Sequence, residues 1–368
     1  MDILILVGAL LLILLGAELF TNGIEWFGHK LNLAEGAVGS VLAGVATATP
    51  ETLIPVIAIL GPVFAGTSSS SHSSEIGVGA ILGAPFMLAT LAMFVTGAAV
   101  VLFARRGRRE VAMSADIRLL TRDLAFFVGA YAVAIATAFL PSGLTPVKWL
   151  VAIGLVVTYA AYVRVHFTDE AAPSDPAELN QLHATRLGLG RSETNLEIDI
   201  LRAGDRAPNV HVAPRLRIIS AQVLVALGLI IFGAQVFVGA VEHLAELIRI
   251  DPKLLALIIA PVATELPEQS NSVLWVRNGK DTLAMGNITG AMVFQSCLPT
   301  VLGIVFTEWA FSASSALAFA SAGIAFLAVL LIFGLARRRN RLSGWMLLLG
   351  GPLYLGYLVA ALLFANVL

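Results

Sequence analysis

Apolar residues run almost unbroken from Ile3 to Phe20. Nine further stretches of similar make-up follow, at roughly 36–61, 76–104, 123–140, 146–164, 216–240, 252–276, 281–307, 312–336 and 343–366. A helix needs about 20 mainly apolar residues to cross a bilayer, so each stretch predicts one membrane-spanning helix. The polar residues gather between them. The longest polar stretch, 165–215, is rich in Asp, Glu, Arg, Pro and Asn, and it divides the spans five and five. It reads as a soluble loop, partly helical. The expected fold is an all-α integral membrane protein of ten transmembrane helices. Residues 1–164 would form a first five-helix unit, 165–215 a linker loop, and 216–368 a second five-helix unit.

Composition agrees. Of the 368 residues 58% are hydrophobic and 13% charged, against about 25% charged in an ordinary soluble domain. The surroundings are therefore a lipid bilayer, and no nucleic-acid partner is expected. Cys297 is the single cysteine, so an internal disulfide framework is excluded. The start, Met-Asp-Ile-Leu, lacks the positive segment of a cleaved signal peptide, and Ile3–Phe20 reads as a retained span.

Charge placement sets a direction. With the N-terminus outside and loops alternating, all of the 23 lysines and arginines fall on the inner side except Lys148, Arg249 and Lys253. Inner loops of membrane proteins carry the excess of Lys and Arg. The pattern predicts a multi-pass cell-membrane protein with both termini outside and the long loop cytosolic. The clusters "RRGRR" and "RRRNR" read mainly as topology determinants.

The two halves repeat. "GAELFTNGIE" (Gly16–Glu25) lies on "GAQVFVGAVE" (Gly233–Glu242) at an offset of 217. At that same offset "ATATPE" (Ala46–Glu51) lies on "ATELPE" (Ala263–Glu268). "GAILGA" (Gly79–Ala84) then matches "GNITGA" (Gly286–Ala291) at 207, the shift being an insertion within "GTSSSSHSSE". Five spans per half is an odd number, so the second copy enters the membrane upside down. Inverted repeats of this kind mark secondary transporters, whose sites lie near the bilayer midplane at the repeat interface.

The two Pro-Glu segments carry the chemistry. An ionisable group at the bilayer centre costs about 2.5–3.5 kcal/mol on insertion scales, so it is usually paired or functional. Pro50 and Pro267 each remove a backbone donor and loosen the preceding turn. Thr47 and Thr264 stand four before Glu51 and Glu268, so each hydroxyl shares a helix face with its carboxylate. Carboxylates, hydroxyls and loosened carbonyls make an all-oxygen cage suited to hard cations. The plain alternative is a pair of protonated glutamates that hydrogen-bond between helices. Glu265, matched by Ala48 in the first half, is a proton carrier, an additional ligand or a packing residue. Asn287 and Gln295, eight apart, can face one side of their helix as ligands or gating residues. The glycines at 79, 83, 286 and 290 read as close-packing surfaces. Cys297 reads as a packing residue, and no motif of an intramembrane protease is present.

The chain resembles the cation/Ca²⁺ exchanger superfamily, the sodium/calcium exchangers and their bacterial relatives. The resemblance rests on "ATATPE" with "GAILGA" and "ATELPE" with "GNITGA", and it covers both halves. It implies ten helices in two inverted repeats, with Glu51 and Glu268 as central Ca²⁺ ligands supported by Thr47 and Thr264, all contributing to Na⁺ sites. It also implies that the first and sixth helices slide over the site. Departures stand at Leu88 and Gln295, where the family has a further polar or acidic ligand, at Ala80 opposite Asn287, and at Glu265, where a small hydroxyl residue is usual. A thinner cage favours fewer coupling ions, or a proton taken by Glu265. The expected function is a secondary active antiporter exchanging Ca²⁺ for Na⁺ or H⁺ by alternating access, with no enzymatic activity and no cofactor. A proton-coupled exchanger of Mg²⁺, Mn²⁺ or K⁺ and a passive cation channel are the alternatives.

Overall fold

The computed structural model describes residues 2–34, 36–48, 51–52, 55–56, 59–60, 71–168, 181–186, 214–248, 265–312 and 315–365. Their regular structure is helical apart from one short antiparallel ladder. The helices are α1 (Asp2–Lys30), a π-helical segment Ala37–Ala43 that runs into α2 (Gly44–Thr47), and α3 (Ser71–Met87). A π-helical turn, Leu88–Ala92, joins α3 to α4 (Met93–Arg105). Then come α5 (Ile117–Ala136), α6 (Thr145–Thr168), the single turn α7 (His183–Arg186), α8 (Leu216–Ile248), α9 (Leu266–Arg277), α10 (Asp281–Phe306), α11 (Ala316–Arg339), α12 (Gly344–Leu347) and α13 (Gly350–Ala365). The ladder pairs Ala112 with Ser343 and Met113 with Leu342.

Eight of the described helical stretches are long and apolar enough to cross a membrane. The expected spans at 36–61 and 252–276 fall partly outside the described residues. Several boundaries differ from those expected. α1 continues ten residues past Phe20, to Lys30, because polar Thr21, Asn22 and Glu25 are buried rather than solvated. α1 ends where Asn32 takes a left-handed conformation (φ 52°), which an asparagine tolerates. α5 starts at Ile117 because Asp116 caps it, its carboxylate accepting from the backbone N–H groups of Arg118 (2.8 Å) and Leu119 (3.3 Å). α6 continues to Thr168.

α10 is the centre of the molecule. It is buried along most of its length and packs against α3, α5, α6, α9 and the π-helical segment. α1 and α8, the first helices of the two halves, lie along one another. Their contact is reciprocal. A Cβ at Gly16 would meet Ile230 Cγ1 at 2.8 Å, and one at Gly233 would meet Ile13 Cγ1 at 2.9 Å. Both residues of the second contact stand at the 217 offset from those of the first. Large apolar side chains left exposed, such as Leu150 and Val157 on α6, Leu224 and Phe232 on α8, and Leu330 on α11, make a lipid-compatible outer surface.

At one end of the bundle, ion pairs tie elements together. Arg109 makes a two-pronged pair with Asp281, both contacts at 2.7 Å, and also donates to the Val276 carbonyl at 2.8 Å. Glu25 on α1 accepts from Trp275 Nε1 at 2.8 Å and pairs with Lys280. Of the expected linker, residues 181–186 are described outside the flanking helices. Leu182 is buried in a small cluster with Trp26 and Ile219. The backbone N–H groups of His183 and Ala184 donate to the side chains of Asn22 (3.0 Å) and Gln222 (2.8 Å).

Candidate cation site

The close approach of the π-helical segment to α10 builds the site. Gly39, Gly44, Gly286 and Gly290 have no side chains between these two backbones. A Cβ at Gly290 would lie 1.8 Å from the Ser40 carbonyl oxygen, and one at Gly44 2.8 Å from the Ala291 nitrogen. The expected small-residue packing is present at Gly286 and Gly290. Around Gly79 and Gly83 no described atom comes within 4 Å of a Cβ position. Their partners by the sequence repeat would lie near residue 256, outside the described residues.

That contact brings Thr47, at the end of α2, onto Asn287 of α10. Thr47 Oγ1 lies 2.9 Å from its own Ala43 carbonyl and 3.1 Å from Asn287 Oδ1, and it donates to either. Asn287 Nδ2 donates in turn to the Glu268 backbone carbonyl (3.2 Å) and to Ser272 Oγ (3.4 Å). One amide therefore links the two Pro-Glu segments. Two helical turns further along α10, Gln295 Nε2 donates to Glu51 Oε2 at 3.1 Å. Pro299 cannot donate to the Gln295 carbonyl four residues earlier, and Thr300 Oγ1 donates to it instead at 3.0 Å.

Glu51, Glu265 and Glu268 are all buried and within electrostatic reach of one another. Among the described residues, Oε1 of Glu51 and both carboxylate oxygens of Glu265 and of Glu268 have no hydrogen-bond partner. The amide of Asn271, one turn beyond Glu268, is equally buried and unpartnered. Glu265 stands at the N-terminal end of α9 without a side-chain capping bond, and Glu268 sits in its first turn, where unpaired backbone N–H groups favour negative charge. Buried polar atoms of this kind are ordinarily satisfied, so a cluster of orphaned carboxylates points to an absent positive charge. No three His, Cys, Asp or Glu side chains among the described residues form a metal-binding group by themselves. A cation here would also need amide, hydroxyl or backbone oxygens.

The expected ligand residues thus divide as follows. Glu51, Glu268, Thr47, Glu265, Asn287 and Gln295 are gathered around one buried region. Thr264 lies outside the described residues. Leu88 is fully buried within the π-helical turn, and Ala80 is partly exposed on α3. Sequence reasoning passed over Ser272, which accepts from Asn287. It also missed a second buried polar cluster: Asp123 on α5, with Tyr162 and His166 on α6, Ser40 and Thr289. The signal was an acid beside an apolar run. Placing the span's edge at residue 123 had read it as a boundary residue.

Comparison with known proteins places this architecture. The chain has the fold of solved structures of the sodium-calcium exchanger NCX_Mj. Against the crystal soaked with 2.5 mM Na⁺ and 0.1 mM Ca²⁺ the TM-score is 0.68 at 16% identity, covering 98% of this chain and 97% of that one. Against the form with 10 mM Na⁺ and zero Ca²⁺ it is 0.66 at 16% identity, covering 98% and 99%. A putative antiporter, CaxA of Alkalimonas amylolytica, is 28% identical over 138 residues, which is 36% of this chain and 42% of that protein. The sequence profile described as sodium/calcium exchanger protein matches residues 1–168 and 219–363. With its apolar helices this makes the chain a multi-pass membrane protein and a cation antiporter, and it belongs to the sodium/calcium exchanger family.

Proposed function

We propose that the protein is a secondary active antiporter exchanging Ca²⁺ for Na⁺ or H⁺. It would do so through ten helices in two inverted five-helix repeats, with both termini outside and the linker 165–215 in the cytosol. The carrying observation is the amide bridge: Asn287 reaches both Thr47 and the Glu268 peptide, while carboxylate oxygens of Glu51 and Glu268 have no partner among the described residues. The reciprocal Gly16–Ile230 and Gly233–Ile13 contacts support the two-fold relation between halves. Glu51 and Glu268 are the central cation ligands in this reading. Thr47 and Thr264 supply hydroxyls, and Asn287 and Gln295 supply neutral oxygens.

Alternating access follows from the charge balance. Without a cation the carboxylates repel one another in a low-dielectric interior, where an unpaired charge costs several kcal/mol. One divalent ion or an equivalent set of monovalent charges relieves that repulsion. The loaded site can therefore be carried across, and the empty charged site cannot. Strict exchange results.

Glu265 favours a proton as a coupling ion. It adds a third buried acid, both of its oxygens lack a partner among the described residues, and Ala48 gives the other half no equivalent. The test is ⁴⁵Ca²⁺ uptake into proteoliposomes loaded with Na⁺ at symmetrical pH, beside Na⁺-free vesicles carrying only a pH gradient. Wild type, Glu51→Gln and Glu268→Gln are compared. Uptake driven by a gradient and abolished by either substitution supports the reading. Uptake without any gradient requirement would make the protein a passive channel. No uptake from folded protein would remove Ca²⁺ as the cargo.

A further inference from the structure

The buried cluster around Asp123 lies apart from the three glutamates, and the exchange mechanism above does not use it. Asp123 is fully buried in α5. Its Oδ2 accepts from Ser40 Oγ at 2.7 Å and from Thr289 Oγ1 at 2.6 Å. Its Oδ1 lies 2.9 Å from His166 Nε2 and accepts from the Tyr162 hydroxyl at 3.3 Å. One carboxylate thus engages three elements: the π-helical segment through Ser40, α10 through Thr289, and α6 through Tyr162 and His166.

The position of the first two contacts matters. Ser40 is the residue whose carbonyl oxygen presses on Gly290, and Thr289 is the neighbour of Gly290. A single oxygen of Asp123 therefore fastens both sides of the helix crossing at Gly290. Thr47 stands two helical turns from Ser40, and Asn287 stands two residues from Thr289. A shift at the crossing would be carried directly to the Thr47–Asn287 contact. At the repeat-equivalent positions the halves have Leu257 and Leu82, so the fastening exists on one side only.

The proton count at His166 is fixed by its partners. Nδ1 lies 2.9 Å from the Tyr162 carbonyl oxygen, which can only accept, so Nδ1 carries a hydrogen. The contact between Nε2 and Asp123 Oδ1 then needs one further proton, held by either atom. With it the pair is neutral overall. Without it a buried carboxylate faces a bare ring nitrogen, and an uncompensated charge remains in the interior. The groups facing the pair are Ser40 from the π-helical segment, Thr289 from α10, and Tyr162 from α6, with Tyr159 stacked behind Tyr162. Of these only the tyrosines are titratable.

We propose that Asp123, with a proton shared between it and His166, is a positioning residue for the cation site. It fixes the register of the helix carrying Thr47 against the helix carrying Asn287. This inference rests on the reading of Thr47 and Asn287 as part of that site.

The experiment measures the KM for ⁴⁵Ca²⁺ uptake in proteoliposomes at one fixed pH. Wild type, His166→Gln, Asp123→Asn, Thr289→Val and Thr289→Ser are compared. Asp123→Asn and Thr289→Val should raise KM about tenfold, as the loss of a hydrogen bond to a charged group would. kcat should change less, and Thr289→Ser, which keeps the hydroxyl, should restore the wild-type KM. His166→Gln, whose amide can still donate to Asp123, should change KM less than Asp123→Asn. An unchanged KM in Thr289→Val or in Asp123→Asn would overturn the proposal.

Hydrogen–deuterium exchange of ion-free protein in detergent gives a second readout that needs no transport. Faster exchange over residues 39–47 in Thr289→Val than in Thr289→Ser is expected, and equal exchange overturns the proposal. Absence of Ca²⁺ uptake in wild type would instead remove the calcium reading of the site and leave the exchange result to decide the register.

Discussion

Gly290→Ala adds a single methyl group at the glycine that, among those described, has the closest neighbour to a Cβ position. The new Cβ would fall 1.8 Å from the Ser40 carbonyl oxygen, 2.4 Å from its carbon and 2.5 Å from its Cα, all backbone atoms with no rotamer to escape into. Restoring a separation of 3.0 Å requires the two helices to part by about 1.2 Å, in an interior packed as densely as an organic crystal. Overpacking of this kind costs about 1–3 kcal/mol. The same movement stretches the Thr47–Asn287 contact, now 3.1 Å, beyond hydrogen-bond range and strains the Ser40–Asp123 bond of 2.7 Å. At about 1 kcal/mol for each such bond, the total loss is about 3–5 kcal/mol. Gly154→Ala, exposed on α6 with no described atom within 4 Å of its Cβ position, is the control. Thermal unfolding in detergent, followed by tryptophan fluorescence, reads stability, and ⁴⁵Ca²⁺ binding reads the site. Gly290→Ala should unfold at clearly lower temperature and lose most Ca²⁺ binding, while Gly154→Ala keeps both. Equal stability and binding in the two variants would refute the claim that this crossing sets the site.

Thr47→Val keeps the volume and removes the hydroxyl that meets Asn287, and Ca²⁺ binding should weaken about tenfold in equilibrium ⁴⁵Ca²⁺ titrations. Unchanged affinity would mean that the Glu268 peptide alone positions Asn287. Gln295→Glu replaces the donor to Glu51 by a fourth acid, so ion-free protein should unfold earlier and added Ca²⁺ should stabilise it more than in wild type. A calcium-induced shift no larger than that of wild type would place Gln295 outside the cation's reach. Arg109→Met leaves Asp281, 2% exposed, without its partner and should cost about 3–5 kcal/mol in denaturant unfolding, whereas pairing it with Asp281→Asn should recover much of that. Equal losses in the single and double variants would show that the guanidinium serves packing instead of charge.

The spans were legible because a bilayer demands long apolar runs, and the run at 281–307 coincides with α10 to within a residue. The helix ends were not, because hydropathy reads polar residues as exits from the membrane. Asn22 and Glu25 look like such exits, yet both are buried, Asn22 holding the 181–186 segment and Glu25 pairing with Trp275 and Lys280. The meeting of Glu51, Glu268 and Asn287 could be anticipated from the repeat, since equivalent positions in two halves approach a shared axis. Which atom bridges them could not. That Asn287 spends its amide on the Glu268 carbonyl and its oxygen on Thr47 depends on a helix approach set by glycines. The cluster of Asp123 and His166 escaped for a related reason. The two lie 43 residues apart at the margins of separate apolar runs, and only packing makes them neighbours.

The halves match in their scaffold and differ in their site, and the difference has a direction. The reciprocal contacts of α1 with α8 use the same residue types on both sides, glycine against isoleucine. In the helices after the Pro-Glu segments the polar groups fall on one half: Asn287 opposes Ala80, and Gln295 opposes Leu88. A symmetric cage would draw one neutral oxygen from each of two helices. Here one helix carries both amides, and they reach the two Pro-Glu segments, Asn287 toward Glu268 and Gln295 toward Glu51. In the proposed site both neutral ligands would then sit on α10, which is fastened to α5, α6 and the π-helical segment through Asp123. Leu88, the repeat counterpart of Gln295, is fully buried and offers no oxygen. The proposed cage would thus have fewer oxygens than a symmetric one, with the third acid, Glu265, adding negative charge beside Glu268. In that proposal the number of ions carried in each direction would depend on whether Glu265 is charged or protonated when the cation leaves.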